Sequence, residues 1–279
     1  MLTVPARLLG EQDRAAIRTV LEREPITGAQ VAELVAEAGV DWWRSGARLF
    51  GYGPGGELEA LCWFGTNLIP VAAGPDAVAA FAAIGRAERR RCSSMVGPAD
   101  AVLGMWSRLQ GLWGPAREVR AGQPLLVADR PPAPAPDPQV RLVREDELDV
   151  LLPAAIEMYT EEVGVSPVRD ADGQPYRRRV SELIRGRRAY AKIVGGEVVF
   201  KADLAVLSPH TAQVQGVWVP PRLRGRGEAT AGMAAVVADA LRRGIPSVSL
   251  YVNQSNHAAR RVYQRCGFRE IDRFATVLF

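Results

Sequence analysis

Apolar positions along this chain change period several times, and each change marks an element. "EDELDVLLPAAIEMYTEEVG" (145–164) and "YRRRVSELIRG" (176–186) carry apolar residues at helical spacing, with acids at the start of the first. "AYAKIVGGEVVFKADLAVL" (189–207) is two β-rich runs around Gly195-Gly196, a hairpin signal. "QVRLVRE" (139–145), "TAQVQGVWV" (211–219), "SVSLYVN" (247–253) and "FREIDRFATVLF" (268–279) read as strands. "ATAGMAAVVADALRR" (229–243) reads as an alanine-rich helix ended by Gly244, and "SNHAARRVYQRC" (255–266) as a helix stopped by Gly267. The order is βααβββαβαβ, a mixed α/β domain.

The first half has a similar pattern. "EQDRAAIRTVLERE" and "GAQVAELVAEAG" predict helices, and "RLFGYGPGGELEALCWFG" a hairpin around Gly55-Gly56. "NLIPVA" predicts a strand, "PDAVAAFAAIGRAERR" a helix, "CSSMVG" a strand, "ADAVLGMWSRL" a helix and "QPLLVA" a strand. This nearly repeats the second half, as expected of a diverged tandem duplication. Between the halves lies the proline-rich "RPPAPAPDPQ", an extended, semi-rigid linker by composition. The expected domains are 1–129, a linker at 130–138, and 139–279.

Composition narrows the function. The chain has 279 residues, 48% hydrophobic and 24% charged, values typical of a soluble globular protein. No apolar run is long enough for a membrane span, and the N-terminus lacks the pattern of a signal peptide. A cytoplasmic location without membrane partners is expected. Cys62, Cys92 and Cys266 fit neither a disulfide framework nor a zinc site, so free thiols are expected. With His210 and His257 the only histidines, no metal site is expected. The net charge is +4, and of 35 basic residues only Lys192 and Lys201 are lysines. The arginines are interleaved with acids and form no sustained stripe, which argues against a nucleic-acid partner.

One stretch stands apart. In "VWVPPRLRGRGEATAGM" (217–233) a strand runs through a proline turn into Arg222, Arg224, Gly225, Arg226 and Gly227, and then into a helix. Exposed amides at a helix N-terminus, the helix dipole and nearby arginines suit an anion, and a diphosphate is the natural guest. The glycines let a bulky ligand approach the backbone. Downstream, Asn256, Ala259 and Tyr263 are spaced to share one helix face.

These two segments resemble the GCN5-related N-acetyltransferases (GNAT). Arg222-x-x-Gly225-x-Gly227 fits the family's acetyl-CoA motif. "NHAARRVYQRCGF" fits its Asn-x-x-Ala-x-x-x-Tyr-x-x-x-Gly-Phe, with the strand "SVSLYVN" between the two motifs. The resemblance covers roughly 139–279. It implies a GNAT fold of mixed α and β, with the first half a degenerate second copy whose "AAGP" replaces the arginine–glycine loop.

The resemblance also implies a set of site residues. Acetyl-CoA would lie along Val217, Trp218 and Val219, in a cradle of Arg224, Gly225, Arg226, Gly227, Glu228 and Ala229, with Asn256 on the pantetheine. Tyr263 would be the acid for the departing thiolate. The acceptor would be an amine, and the first half would pack against the active domain and shape the acceptor cleft.

Two positions depart from the family. Gln213 and Gln215 stand where a general-base glutamate is usual, so Glu157 and Glu161, with Glu162 and Asp203 behind them, are the substitutes. Glu228 is expected to turn to solvent or to an arginine, since next to a diphosphate it would be repulsive. The alternative to an N-acetyltransferase is a non-catalytic acyl-CoA-binding or regulatory module. Trp42, Trp43, Trp106 and Trp113 are expected in core or interdomain contacts, Trp218 in the core or lining the cleft, and His257 in solvent.

Overall fold

Both hairpins, the helical runs and the late strands form where the residue pattern puts them. The computed structural model describes residues 6–53, 57–168 and 173–279. The first half runs β1 (Ala6–Leu8), α1 (Arg14–Arg23), α2 (Ala29–Ala38), α3 (Trp42–Ser45), β2 (Arg48–Tyr52), β3 (Ala60–Phe64) and β4 (Asn67–Val71). It continues through α4 (Pro75–Ala87), β5 (Ser94–Pro98), α5 (Ala99–Trp113) and β6 (Glu118–Ala128). The second half runs β7 (Arg141–Leu142), α6 (Leu148–Val163), α7 (Gln174–Arg185), β8 (Ala189–Val194), β9 (Glu197–Leu207) and β10 (Ala212–Trp218). It ends with α8 (Glu228–Arg242), β11 (Val248–Tyr251), α9 (His257–Arg265) and β12 (Arg269–Leu278). Apart from α3, the two halves have the same order of strands and helices.

Three expectations need correcting. The strand at 139–145 shrinks to two residues, because the Glu147 carboxylate draws the chain into a turn. It accepts from the Arg144 backbone N–H at 2.9 Å and from Arg141 at 2.7 Å. Trp42 and Trp43 are not core residues; they are 60% and 67% exposed on the short α3. β1 and α3 were missed because neither is long enough to show a period. The β2–β3 hairpin is present from Arg48↔Phe64 to Tyr52↔Ala60, but its expected tip at Gly55-Gly56 lies outside the described residues.

The chain divides into two compact units that are not contiguous in sequence. The first takes the residues through Leu125 together with Tyr251–Ser255 and Glu270–Phe279; the second takes Leu126–Leu250 and Asn256–Arg269. The strand order in the first is β1-β2-β3-β4-β5-β12, and in the second β11-β10-β9-β8-β7. The first unit is thus completed by the last strand of the chain, antiparallel to β5 from Phe274↔Pro98 to Leu278↔Ser94. Inside it, Thr276 donates to Gln123 at 2.6 Å and Gln123 donates to Asn253 at 2.8 Å, a buried polar chain joining segments far apart in sequence.

Each unit packs helices on its strands. In the first, Phe81, Met95, Met105, Leu109 and Val277 are fully buried in one cluster, while Ile17, Leu49, Leu61 and Phe274 lie in a second. In the second unit α6 and α7 cover β8 and β9 through Leu151, Ala155, Val180 and Ile184. α8 sits close on the sheet because Gly232 faces the Phe200 ring, where a Cβ would lie 2.7 Å from ring carbons. No helix among the described residues is long and apolar enough to cross a membrane. Cys62, Cys92 and Cys266 are free and buried.

The borrowed strand yields a prediction. Ending the chain at Phe268 should strip hydrogen-exchange protection from Ser94–Pro98, whose ladder partner is then gone, and leave α8 protected. Retained protection at β5 would show that β12 does not stabilise the first unit.

Candidate functional site

The site is built at the end of β10, where the strand leaves its ladder. β10 faces β9 with Gln215↔Asp203 and then Trp218↔Lys201, so two residues, Gly216 and Val217, lie opposite one. This is a β-bulge, and Gly216 takes φ +62, a left-handed conformation that other residues adopt at a cost. On its other side β10 pairs with β11 in parallel only at Ala212↔Val248 and Gln213↔Ser249. Beyond Gln213 the two strands carry no further register, although β10 continues to Trp218 and β11 to Tyr251. An open strand edge therefore precedes the arginine–glycine run.

That run is organised by its glycines. After one 3-10 turn at Pro221–Leu223, Gly225 has φ +77 and Gly227 has φ +88, the latter capping α8 in the left-handed region. A Cβ at either would meet nothing within 4 Å, so conformation rather than crowding selects glycine here. The first amides of α8 emerge from this turn, and first-turn amides have no acceptor inside a helix. Arg226 is exposed beside them.

The other arginines are engaged. Arg222 pairs with Glu197 at the β8–β9 turn. Arg224 donates to the Val219 carbonyl at 3.0 Å and to Glu161 at 2.6 Å. The indole N–H of Trp218, itself buried, donates to the same Glu161 carboxylate at 3.3 Å. The Arg224 guanidinium, helped by its charge and by Trp218, holds the Glu161 carboxyl below its usual range, against the opposing effect of burial. Glu228 turns neither to solvent nor to an arginine. It accepts from Lys192 at 2.9 Å, and Lys192 also bridges to Asp137 at 2.9 Å in the proline-rich segment. An ammonium thus offsets the carboxylate at the mouth of the cradle. Ala229, next on α8, is half-buried.

α9 supplies the second motif. Asn256 is its N-cap, the side-chain oxygen accepting from the Ala259 N–H at 3.1 Å. This cap is a structural role that side-chain spacing alone does not reveal. Tyr263 lies one turn beyond Ala259, buried and packed on Phe268 with ring centroids 5.7 Å apart. Burial, with the Glu162 charge adding to it, pushes its phenol well above the ordinary range, so it stays protonated at any physiological pH. Cys266, which closes the helix, is pushed up to about 11 by burial, so it is a thiol rather than a thiolate. His257 is exposed, and Glu157 lies exposed on α6.

Two features of this region were not anticipated. The first is the Glu161–Arg224–Trp218 cluster. The second is a dyad beneath the bulge: Lys201, fully buried, contacts Asp203 at 2.6 Å and donates to the Gly216 carbonyl at 3.0 Å. The rarity of lysine in this chain was the signal for the dyad. Beside it, Tyr176 donates to the Ala155 carbonyl at 2.8 Å and packs edge-on against Tyr159.

The first unit lacks the cradle at the corresponding place. Its fourth strand contains Pro70, which has no N–H to offer, and a Cβ on Gly97 of β5 would lie 3.2 Å from the Pro70 carbonyl oxygen. Gly74, which caps α4, is extended rather than left-handed, and Pro75 opens the helix.

Comparison with known proteins finds two family matches along the chain. Residues 47–151 match a family described as a domain of unknown function (DUF4081), and residues 153–268 match the acetyltransferase (GNAT) family. No protein of curated function matches the chain. Among solved structures, a GNAT acetyltransferase from Colwellia psychrerythraea is similar over 98% of this chain and 99% of its own, with TM-score 0.59 and 11% identity. A GCN5-related N-acetyltransferase from Sphaerobacter thermophilus is similar over 98% and 94%, with TM-score 0.57 and 21% identity. A tandem GNAT protein from the clavulanic acid biosynthesis pathway is similar over 97% of both chains, with TM-score 0.51 and 16% identity. At such identities the likeness is one of fold, and it extends over nearly the whole length. Residues 153–268 thus match the acetyltransferase (GNAT) family, within a chain that has the mixed α/β fold of GNAT proteins.

Proposed function

We propose that the protein is an N-acetyltransferase that takes its acyl group from acetyl-CoA and passes it to an amine by direct attack. The observation that carries this reading is the bulged, half-unpaired end of β10 running straight into the glycine-capped N-terminus of α8. An open strand edge suits the amides of an extended pantetheine arm, which would pair along Val217, Trp218 and Val219 as an added strand does. The first amides of α8, from Glu228 and Ala229, with Gly225, Arg226 and Gly227 around them, suit the diphosphate. Arg224 joins them when it exchanges the Glu161 carboxylate for a phosphate. The amide nitrogen of Asn256 is left by the cap to donate to the arm. In this reading residues 139–279 carry the transfer site, and the first half is a degenerate copy without a cradle.

In the transfer, the neutral amine nitrogen bonds to the thioester carbon while the C–S bond breaks. Tyr263 gives its phenolic proton to the leaving thiolate. The phenol carries its proton before the thiolate forms, and the spacing along α9 puts Tyr263 on the side of Asn256 and Ala259. The proton lost by the attacking amine needs an acceptor. Glu161 is poorly suited to this, since a useful base has a pKa near the working pH and Glu161 is held below the ordinary carboxylate range. Its role here is to hold Arg224. Glu157 stays a candidate through exposed water, and Asp203 lies directly across from Gln215.

Gln215 favours a second reading, an acyl-CoA-binding module without turnover, because an amide cannot accept a proton in place of the usual carboxylate. Thiol release from acetyl-CoA across a panel of amines, with binding measured in parallel, separates the two. Release with at least one amine supports transfer, and binding without release on any supports the module. Gly225→Glu, which places a carboxylate on a left-handed residue in the cradle, should abolish acetyl-CoA binding; unchanged binding sinks the site. Tyr263→Phe should lower turnover about 10²-fold or more while leaving affinity nearly intact. Equal turnover would remove its acid role.

Glu161 makes a separate prediction. A carboxyl whose folded pKa is lowered contributes stability above its unfolded value, and loses it as pH falls through the folded value. Carbon-13 NMR of the Glu161 carboxyl should show a midpoint below that of an ordinary glutamate, returning toward it in Arg224→Met. A midpoint that ignores the substitution would show that the pair does not set it.

A further inference from the structure

We propose that Lys201 is a positioning residue for the acyl transfer: it pins the bulge peptide between Gly216 and Val217 and so aims the Val217 N–H at the thioester carbonyl. The inference rests on the acetyl-CoA reading of the site. It starts from a costly arrangement, a lysine and a carboxylate buried together. Lys201 is fully buried and Asp203 is nearly so. Removing a lysine and a carboxylate from water is unfavourable, and their attraction has to offset it. A buried ion pair is weak evidence for stability, since well-packed apolar residues often do as well. What this pair adds is a directed hydrogen bond, from the ammonium to the Gly216 carbonyl at 3.0 Å.

That carbonyl sits in the bulge, where the ladder to β9 slips by one residue. A bulge leaves a residue unpaired and re-aims the chain. Here the lysine fixes it. The packing is close: a Cβ on Gly216 would lie 2.9 Å from the Met158 methyl carbon and 3.0 Å from both Asp203 Oδ2 and Lys201 Nζ. The peptide is trans and planar, so its N–H lies antiparallel to its C=O. With the Gly216 oxygen held by the ammonium, the Val217 N–H is held on the opposite side of that peptide. A preorganised amide aimed at a developing oxyanion is among the strongest contributions to acyl transfer. Asp203 keeps the ammonium in place. Lysine is suited to this as a compact donor, in a chain that otherwise uses arginine for nearly all its positive charge.

Isotope-edited infrared spectroscopy of acetyl-CoA labelled with carbon-13 at the carbonyl tests this on the full-length protein without knowing the acceptor. In the wild type the bound carbonyl should absorb at lower frequency than in water. In Lys201→Met/Asp203→Leu, which removes the donor and both charges together, most of that downshift should vanish, with the affinity for CoA itself changed no more than about twofold. In Lys201→Gln/Asp203→Asn, which keeps a donor but no charge, the downshift should persist. Equal downshifts in the wild type and the Met/Leu pair overturn the proposal. Should the Met/Leu pair not fold, Lys201→Met alone carries the test: a folded, CoA-binding variant that keeps the wild-type downshift overturns the proposal, and one that loses it supports it. A wild type that binds CoA without any downshift overturns the pinning but not the binding site. A wild type that binds neither CoA nor acetyl-CoA overturns the site and this proposal together.

Discussion

The extra residue in β10 is the constraint from which the second unit's geometry follows. A regular strand at this place would continue both ladders, to β9 and to β11, and leave no backbone group for a ligand. The bulge at Gly216–Val217 breaks the register with β9, while β10 and β11 stop pairing after Gln213. A left-handed φ at Gly216 makes the bulge possible, and a side chain there would press on Met158, Lys201 and Asp203. Past the bulge the chain turns at Pro220-Pro221 and reaches α8 through two more left-handed glycines. Three glycines thus set the path from strand to helix.

Charge around this path is arranged in pairs. Lys201 and Asp203 lie beneath the bulge, Glu161 and Arg224 bind across from β10, and Lys192 joins Glu228 to Asp137 at the start of α8. The Lys201 pair is buried and its members have few alternatives, so it can fix geometry. The Glu161–Arg224 pair is half exposed, and exposed pairs contribute little and exchange partners readily. A guanidinium held by such a pair is available to a phosphate at small cost. The Lys192 bridge places a cation between the Glu228 and Asp137 carboxylates at the start of α8.

Much of this was legible in the residues, and the limits were physical. The strand and helix order of both halves follows from periods of two and 3.6, and the arginine–glycine run announced the turn into α8. The pairing of β5 with β12 was not legible, because strand periodicity says which face is buried but not which strand lies alongside. Asn256 as an N-cap was hidden behind its place in a binding motif, although Asn before a helix is itself a capping signal. The Glu161–Arg224 contact joins residues 63 positions apart in sequence, and no local pattern encodes it. Lys201 was visible as one of two lysines, but its burial depends on the bulge across from it.

The two halves are alike in element order but differ at one turn in few residues. Both place a parallel pair, β4–β5 and β10–β11, at the same point, and both pair only at its first two positions. In the first unit the fourth strand then carries Pro70, close against Gly97, and the following turn ends in an extended Gly74 and Pro75. A proline in the strand and another at the helix start each remove an N–H, the group an extended arm or a diphosphate would need. In the second unit the same places hold a glycine bulge and left-handed glycines, which keep their N–H groups. The two halves thus share an order of elements while their backbones differ at the one turn where N–H groups would be needed.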